Sequence, residues 1–149
     1  MRTGSHPRVG EVLPADAWNI LETEKDARLI DVRTQAEWNF VGLPDLSELN
    51  HTMLCVEWAS FPDMSKNPHF ADTVIEALGD EAPGKLLFLC RSGVRSLHAA
   101  QAVAARYLEM GQAVDCLNVA EGFEGDLNAH GRRGIQNGWK HRGLAWRQS

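Results

Sequence analysis

The chain has 149 residues, 44% of them hydrophobic and 23% charged, which suits one soluble domain with a substantial core. Its net charge of -5 argues against a general nucleic-acid binder, which needs a basic surface to displace counterions. No apolar run approaches the roughly 20 residues that span a bilayer. The polar first ten residues also lack the apolar heart of a secretory signal, so the expected location is the cytoplasm, with no membrane partner.

Residues 1–10 read as a loose lead-in and 11–149 as a single domain. Pro14 opens a helix over 15–21, near whose first turn it fits. Leu29-Ile30-Asp31-Val32 is a short apolar run that reads as a buried strand. A helix over 34–40 follows, with Thr34 as N-cap and Glu37 as its capping-box partner, and with Trp38 packing into the core. Gly42, Pro44 and Asp45 end it. A second strand is expected over 52–56 and a loop over 57–67, in which Trp58 or Phe61 either walls a site or covers the sheet. Phe70, Val74, Ile75 and Leu78 have helical spacing within 68–78. Residues 79–84 form a turn.

Residues 85–89, Lys-Leu-Leu-Phe-Leu, are apolar on both faces, as a central parallel strand should be. The helix over 95–110 has an apolar stripe of Leu97, Ala100, Val103, Ala104, Tyr107 and Leu108, and Gly111 stops it. The last strand is expected over 113–119. Alternating strands and helices imply an α/β fold with a mainly parallel sheet flanked by helices. Such sheets carry their sites at the carboxyl ends of strands, where Asp31 and Cys90 both fall.

The three cysteines are Cys55, Cys90 and Cys116. None shares CxxC spacing, and no His stands near one at metal-ligand spacing, so neither a zinc site nor a disulfide framework is expected. Cys55 and Cys116 sit in apolar strands without nearby positive charge and read as core. Cys90 differs: it follows a buried strand and precedes a long helix, whose unpaired N–H groups favour a thiolate. Arg91 and Arg95 add positive charge, and Gly93 allows a tight turn. Ser92 and Ser96 offer hydroxyls. Such a loop can cradle a thiolate together with a small oxyanion. The competing reading, a small buried hydrophobe ending a strand, sits poorly with so polar a surrounding sequence.

The segment Cys90-Arg91-Ser92-Gly93-Val94-Arg95 resembles the active-site loop of the rhodanese family, of the type C-x-x-G-x-R. Leu29-Ile30-Asp31-Val32-Arg33, then Glu37-Trp38 and Gly42, resembles the family's first signature. Asn118-Val119 with Glu121-Gly122-Phe123 is similar to the segment after its last central strand. Gly138-Trp139-Lys140 with Gly143-Leu144 resembles its C-terminal motif. The resemblance implies a rhodanese-like domain without a metal or organic cofactor. It also implies a sulfurtransferase in which the Cys90 thiolate takes the sulfane sulfur of thiosulfate or a persulfide, then passes it to cyanide, a thiol or a protein acceptor. Arg91, Ser92, Gly93, Val94 and Arg95 would bind the donor, chiefly through their amides, with Arg91 in direct contact and Arg95 also tying down the loop. Asp31 and Arg33 would support the site, either by orienting the pocket or, as favoured here, as a structural ion pair.

Two departures from the family pattern stand out. Leu43-Pro44-Asp45-Leu46-Ser47 replaces the family's H-I-P-G-A. A polar, glycine-rich insert over 124–137 separates Phe123 from Trp139. It reads as a solvated surface loop, or as a flap that brings Arg132 or Arg133 to the pocket. Other functions compete with sulfur transfer. A phosphatase or arsenate reductase of the related fold would need an arginine six residues after Cys90, where Ser96 stands. A non-catalytic module would not need Cys90. A redox sensor would use the same thiolate.

Overall fold

The computed structural model describes residues 7–60, 63–79 and 84–148. Its elements in chain order are β1 (Val9–Val12), α1 (Pro14–Thr23), β2 (Arg28–Asp31), α2 (Gln35–Phe40) and β3 (Leu43–Pro44), followed by a 3-10 turn (Ser47–Leu49). Then come β4 (Leu54–Cys55), β5 (Ala59–Ser60), β6 (Ser65–Lys66) and α3 (Phe70–Leu78). The chain continues through β7 (Leu86–Leu89), α4 (Val94–Glu109), β8 (Cys116–Val119) and β9 (Trp146–Arg147).

Five of these strands form one parallel sheet in the order β1-β8-β7-β2-β4. Strand β7 lies at its centre with all four residues buried, because helices cover both faces. On one face Phe88, Ile30 and Cys116 pack with Phe70 and Val74 of α3 and with Ala100, Val103 and Tyr107 of α4. On the other, Leu29, Leu87 and Leu89 pack with Ala17 and Leu21 of α1 and with Phe123 and Trp139. The Trp139 indole N–H donates to the Ala145 carbonyl at 2.9 Å, so this large buried ring leaves no polar group orphaned. The fold is thus α/β, with a central parallel sheet flanked by helices.

Local chemistry explains the helix ends. Thr34 accepts from the Glu37 N–H while the Glu37 carboxylate accepts from the Thr34 N–H, the expected capping box. Helix α4 ends in a Schellman turn: Gln112 N–H donates to Tyr107 O at 2.9 Å and Gly111 N–H to Leu108 O at 3.0 Å, with Gly111 at φ +84°.

Several expectations are corrected. Part of the supposed lead-in is an edge strand, since Val9 and Gly10 pair with Cys116 and Leu117. Its alternating exposure carries too weak an apolar signal to stand out in the sequence. The strand ending at Val119 is not the last, because Trp146 and Arg147 pair antiparallel with Pro44 and Leu43. Two-residue strands leave no periodic pattern to read. The loop over 57–67 contains the hairpin β5–β6. Trp58 packs partly buried against the core, edge-on to Phe70 of α3 with their centroids 5.1 Å apart, and does not line the cleft with Arg91 and Arg95. Phe61 and most of the 79–84 turn lie outside the described residues. Trp38 is half-buried on α2, a helix with no fully buried residue, rather than a core side chain.

Candidate active site around Cys90

Cys90 leaves the central strand and Val94 begins α4, so the intervening turn is short and close to the core. Gly93 makes it possible: its φ of +112° is strained for any side chain. The Cys90 residue is 1% exposed. Its Sγ receives the Gly93 N–H at 3.1 Å and lies 3.2 Å from Ser96 Oγ.

Ser96, fully buried in the first turn of α4, also stands 2.5 Å from Asn118 Oδ1. Asn118 Nδ2 donates to the Gly93 carbonyl at 3.1 Å and to Glu11 Oε2 at 3.2 Å. Asn118 and Glu11 are the participants that sequence reasoning missed. The available signal was an asparagine inside an apolar strand, because a buried amide needs partners.

A second loop clamps the first. Phe123 N–H donates to Cys90 O at 2.8 Å, and the N–H groups of Glu124 and Gly125 donate to Arg91 O at 3.0 and 3.1 Å. Gly122 makes this approach possible. A Cβ there would stand 2.5 Å from the Arg91 carbonyl and 2.6 Å from Cys90 O.

The two arginines have different roles. Arg95 forms a two-bond salt bridge with Glu37, at 2.8 and 3.0 Å, tying the loop to α2. Burial works against both charges, yet the pairing prevails: it holds Glu37 below the usual carboxylate range and raises Arg95. Arg91 is exposed and has no ion-pair partner among the described residues. Both arginines line a cleft of about 590 Å³ with Glu37, Phe40, Met64 and Arg133. Arg133 comes from the insert over 124–137 and donates to Gly125 O at 2.7 Å. Arg132 is exposed and does not line this cleft. Ser92 is half-buried and Val94 exposed on the loop.

Asp31 and Arg33 are fully buried. Arg33 Nη2 donates to Asp31 Oδ2 at 2.6 Å and to Gly42 O at 2.8 Å, and its guanidinium lies 4.4 Å from the Phe123 ring centroid. Neither lines the cleft that holds Arg91 and Arg95, and the buried Cys90 itself lies beneath that cleft's lining rather than in it.

The other cysteines part company. Cys116 is buried, and desolvation pushes its thiol up to about 12. Cys55 is not core. It is exposed at the end of edge strand β4, lining a second cleft of about 470 Å³ with His51 and Arg147. An edge strand of two residues leaves that side uncovered. Partial desolvation and the Asp31 carboxylate push its thiol up to about 11. The Leu43–Ser47 departure borders this second cleft rather than the one lined by Arg91 and Arg95. Among the described residues no group of three or more His, Cys, Asp or Glu could hold a metal ion, and no helix is long and apolar enough to cross a membrane.

No protein-family model matches the chain. The uncharacterised protein RP600 of Rickettsia prowazekii is 32% identical over 138 residues, 93% of this chain and 97% of that one. The crystal structure of Rv0390 from M. tuberculosis is 42% identical, with a TM-score of 0.81, over 95% of this chain and 99% of that one. Two more distant structures share the fold. One is the polysulfide-sulfur transferase homodimer of Wolinella succinogenes, 18% identical with a TM-score of 0.54, over 95% and 80% of the two chains. The other is RPA3614 of Rhodopseudomonas palustris, described as a possible tyrosine phosphatase, 17% identical with a TM-score of 0.53, over 93% and 85%.

Proposed function

The chain belongs to the family of RP600 and has the rhodanese-like fold, and on that premise we propose that it is a sulfurtransferase whose nucleophile is Cys90. The observation that carries this reading is the environment of Cys90 Sγ. It receives an N–H and faces a hydroxyl, in a loop flanked by one exposed and one paired arginine.

In the first half-reaction the Cys90 thiolate attacks the outer sulfur of thiosulfate. A Cys90 S–S bond forms, the donor S–S bond breaks, and its electron pair leaves with sulfite. In the second, an acceptor such as cyanide or a thiol attacks the outer sulfur of the persulfide. The electron pair then returns to Cys90 Sγ. An organic or protein-borne persulfide enters the same scheme with a thiolate as leaving group.

The donor enters from the cleft edged by Arg91, Arg95 and Arg133. Arg91 offers the free charge, Arg95 fixes the loop, and the Ser92, Gly93 and Val94 backbone forms the seat. Asp31 and Arg33 support the site from within the core. The insert over 124–137 is then a cleft wall within a single domain that works in the cytoplasm without a cofactor. Ser96 stands where a phosphatase loop of this kind would carry its arginine, which favours sulfur chemistry over phosphoryl chemistry.

The deciding experiment is thiocyanate release from thiosulfate and cyanide, with wild type beside Cys90→Ala. Turnover lost in the variant supports the reading. An inactive wild type that still carries a persulfide on Cys90 has the wrong acceptor. One that neither loads nor turns over with thiosulfate or an organic persulfide is not a sulfurtransferase.

A further inference from the structure

Ser96 has one hydroxyl hydrogen and two neighbours able to receive it: Asn118 Oδ1 at 2.5 Å and Cys90 Sγ at 3.2 Å. The Asn118 amide cannot reverse, because its Nδ2 faces two acceptors, the Gly93 carbonyl and the Glu11 carboxylate. Its oxygen therefore always faces Ser96. When Cys90 is a thiol, the Ser96 hydrogen goes to Asn118, and Ser96 Oγ is free to accept the S–H. When the sulfur is an anion it is the stronger acceptor, since charge-assisted bonds are about twice as strong as neutral ones.

We propose that Ser96 is a catalytic residue that turns its hydroxyl hydrogen from Asn118 to Cys90 Sγ whenever that sulfur carries negative charge. This rests on the sulfurtransferase reading and extends it to both half-reactions. In loading, the hydroxyl stabilises the attacking thiolate. In the persulfide the charge moves to the outer sulfur, Sγ becomes a weak acceptor, and the hydrogen returns to Asn118. In unloading, the S–S bond breaks, its electron pair falls on Sγ, and the hydroxyl turns back to receive it. No proton leaves Ser96 in the cycle. Asn118 is a positioning residue: it holds the resting hydroxyl and pins the Gly93 carbonyl, while the Gly93 N–H faces the same sulfur.

The charged groups around this pair are few. Arg95 acts on Cys90 from α4 and is held by Glu37, with Asp31 acting on Arg95 in turn. Arg91 stands on the exposed side of the loop, and Glu11 is linked to the site through Asn118. A buried hydroxyl is thus the uncharged group best placed to follow the charge on sulfur.

The test is Ser96→Ala in the full chain. Iodoacetamide alkylation of Cys90 is followed by peptide mass spectrometry, at about pH 7 and about pH 10. The variant should alkylate about ten-fold more slowly near neutrality, and the gap should narrow at high pH. In thiocyanate release its kcat should fall about ten-fold while the KM for thiosulfate stays within about two-fold, because the hydroxyl faces Sγ and not the donor's oxyanion. If Ser96→Ala fails to fold, Ser96→Gly removes the same hydroxyl. Equal alkylation near neutrality, beside a working wild type, overturns the role of Ser96 alone. A wild type that moves no sulfur but shows the alkylation difference overturns the sulfurtransferase reading and leaves the Ser96 bond to the thiolate standing.

Discussion

Glu37 accepts two hydrogen bonds from Arg95, at 2.8 and 3.0 Å, while also closing the capping box of α2 with Thr34. One carboxylate therefore joins α2, the helix that follows β2, to the first turn of α4, the helix that follows the Cys90 turn. The two side chains are 18% and 19% exposed, so the pair is worth more than a surface salt bridge and leaves an uncompensated charge if broken.

Glu37→Gln should destabilise the fold by about 1–2 kcal/mol near neutrality. The folded carboxyl lies below its ordinary value of 4.5, so its contribution is fully present above that value and is lost as pH falls through the lower, folded one. Urea unfolding of wild type and variant should thus differ most near neutrality and converge in acid. A difference that is constant across that range would remove ionisation of Glu37 from the account.

Arg91 and Arg133 both line the cleft, one from the Cys90 loop and one from the insert. Arg91→Ala should raise the KM for thiosulfate about ten-fold with little effect on acceptor use. Arg133→Ala should raise it about two- to five-fold, since its guanidinium already donates to Gly125 O. Steady-state kinetics with both substrates varied separates these effects. An unchanged KM in Arg133→Ala would return the insert to a solvated loop.

Gly122 sits at φ +68°, and a Cβ added there would meet the Arg91 carbonyl at 2.5 Å and Cys90 O at 2.6 Å. Those contacts are backbone and cannot rotate away. Gly122→Ala should therefore push the two loops apart, cost about 2–3 kcal/mol of stability and lower turnover together with it. Gly111→Ala is the useful comparison, because its added Cβ meets nothing within 4 Å and only the positive φ is penalised. Thermal melts of the two variants should rank Gly122→Ala as the more damaging.

The central strands were legible because Leu86–Leu89 and Arg28–Asp31 concentrate apolar residues where helices cover both faces. The α2 capping box was legible from Thr34 and Glu37 alone, because its chemistry lies within four residues. The edge strand β1 and the pair β3–β9 were not, because they are short and half-exposed and depend on partners distant in the chain. Cys55 was misread because its apolar neighbours suggest burial, whereas only tertiary structure shows the edge to be open. Cys90, Arg91 and Arg95 were singled out by their own loop. Asn118 joins them only through the parallel pairing of β7 and β8, which sequence spacing does not encode.

Arg33 and Asp31 form the most deeply buried charges in the described chain, each with a fully covered side chain. Arg33→Met should cost about 3–5 kcal/mol, because it leaves the Asp31 carboxylate without its counterion in the core. The double change Asp31→Leu with Arg33→Met removes both charges and should recover much of that loss, although Gly42 O still loses its donor. Equilibrium unfolding of the three proteins measures the coupling. The double variant also separates the two roles available to the pair. If it folds and transfers sulfur at close to the wild-type rate, the pair is an anchor for the start of α2. If it folds and loses turnover, Asp31 and Arg33 act on the reaction through the loop, and the reading of the pair as purely structural fails.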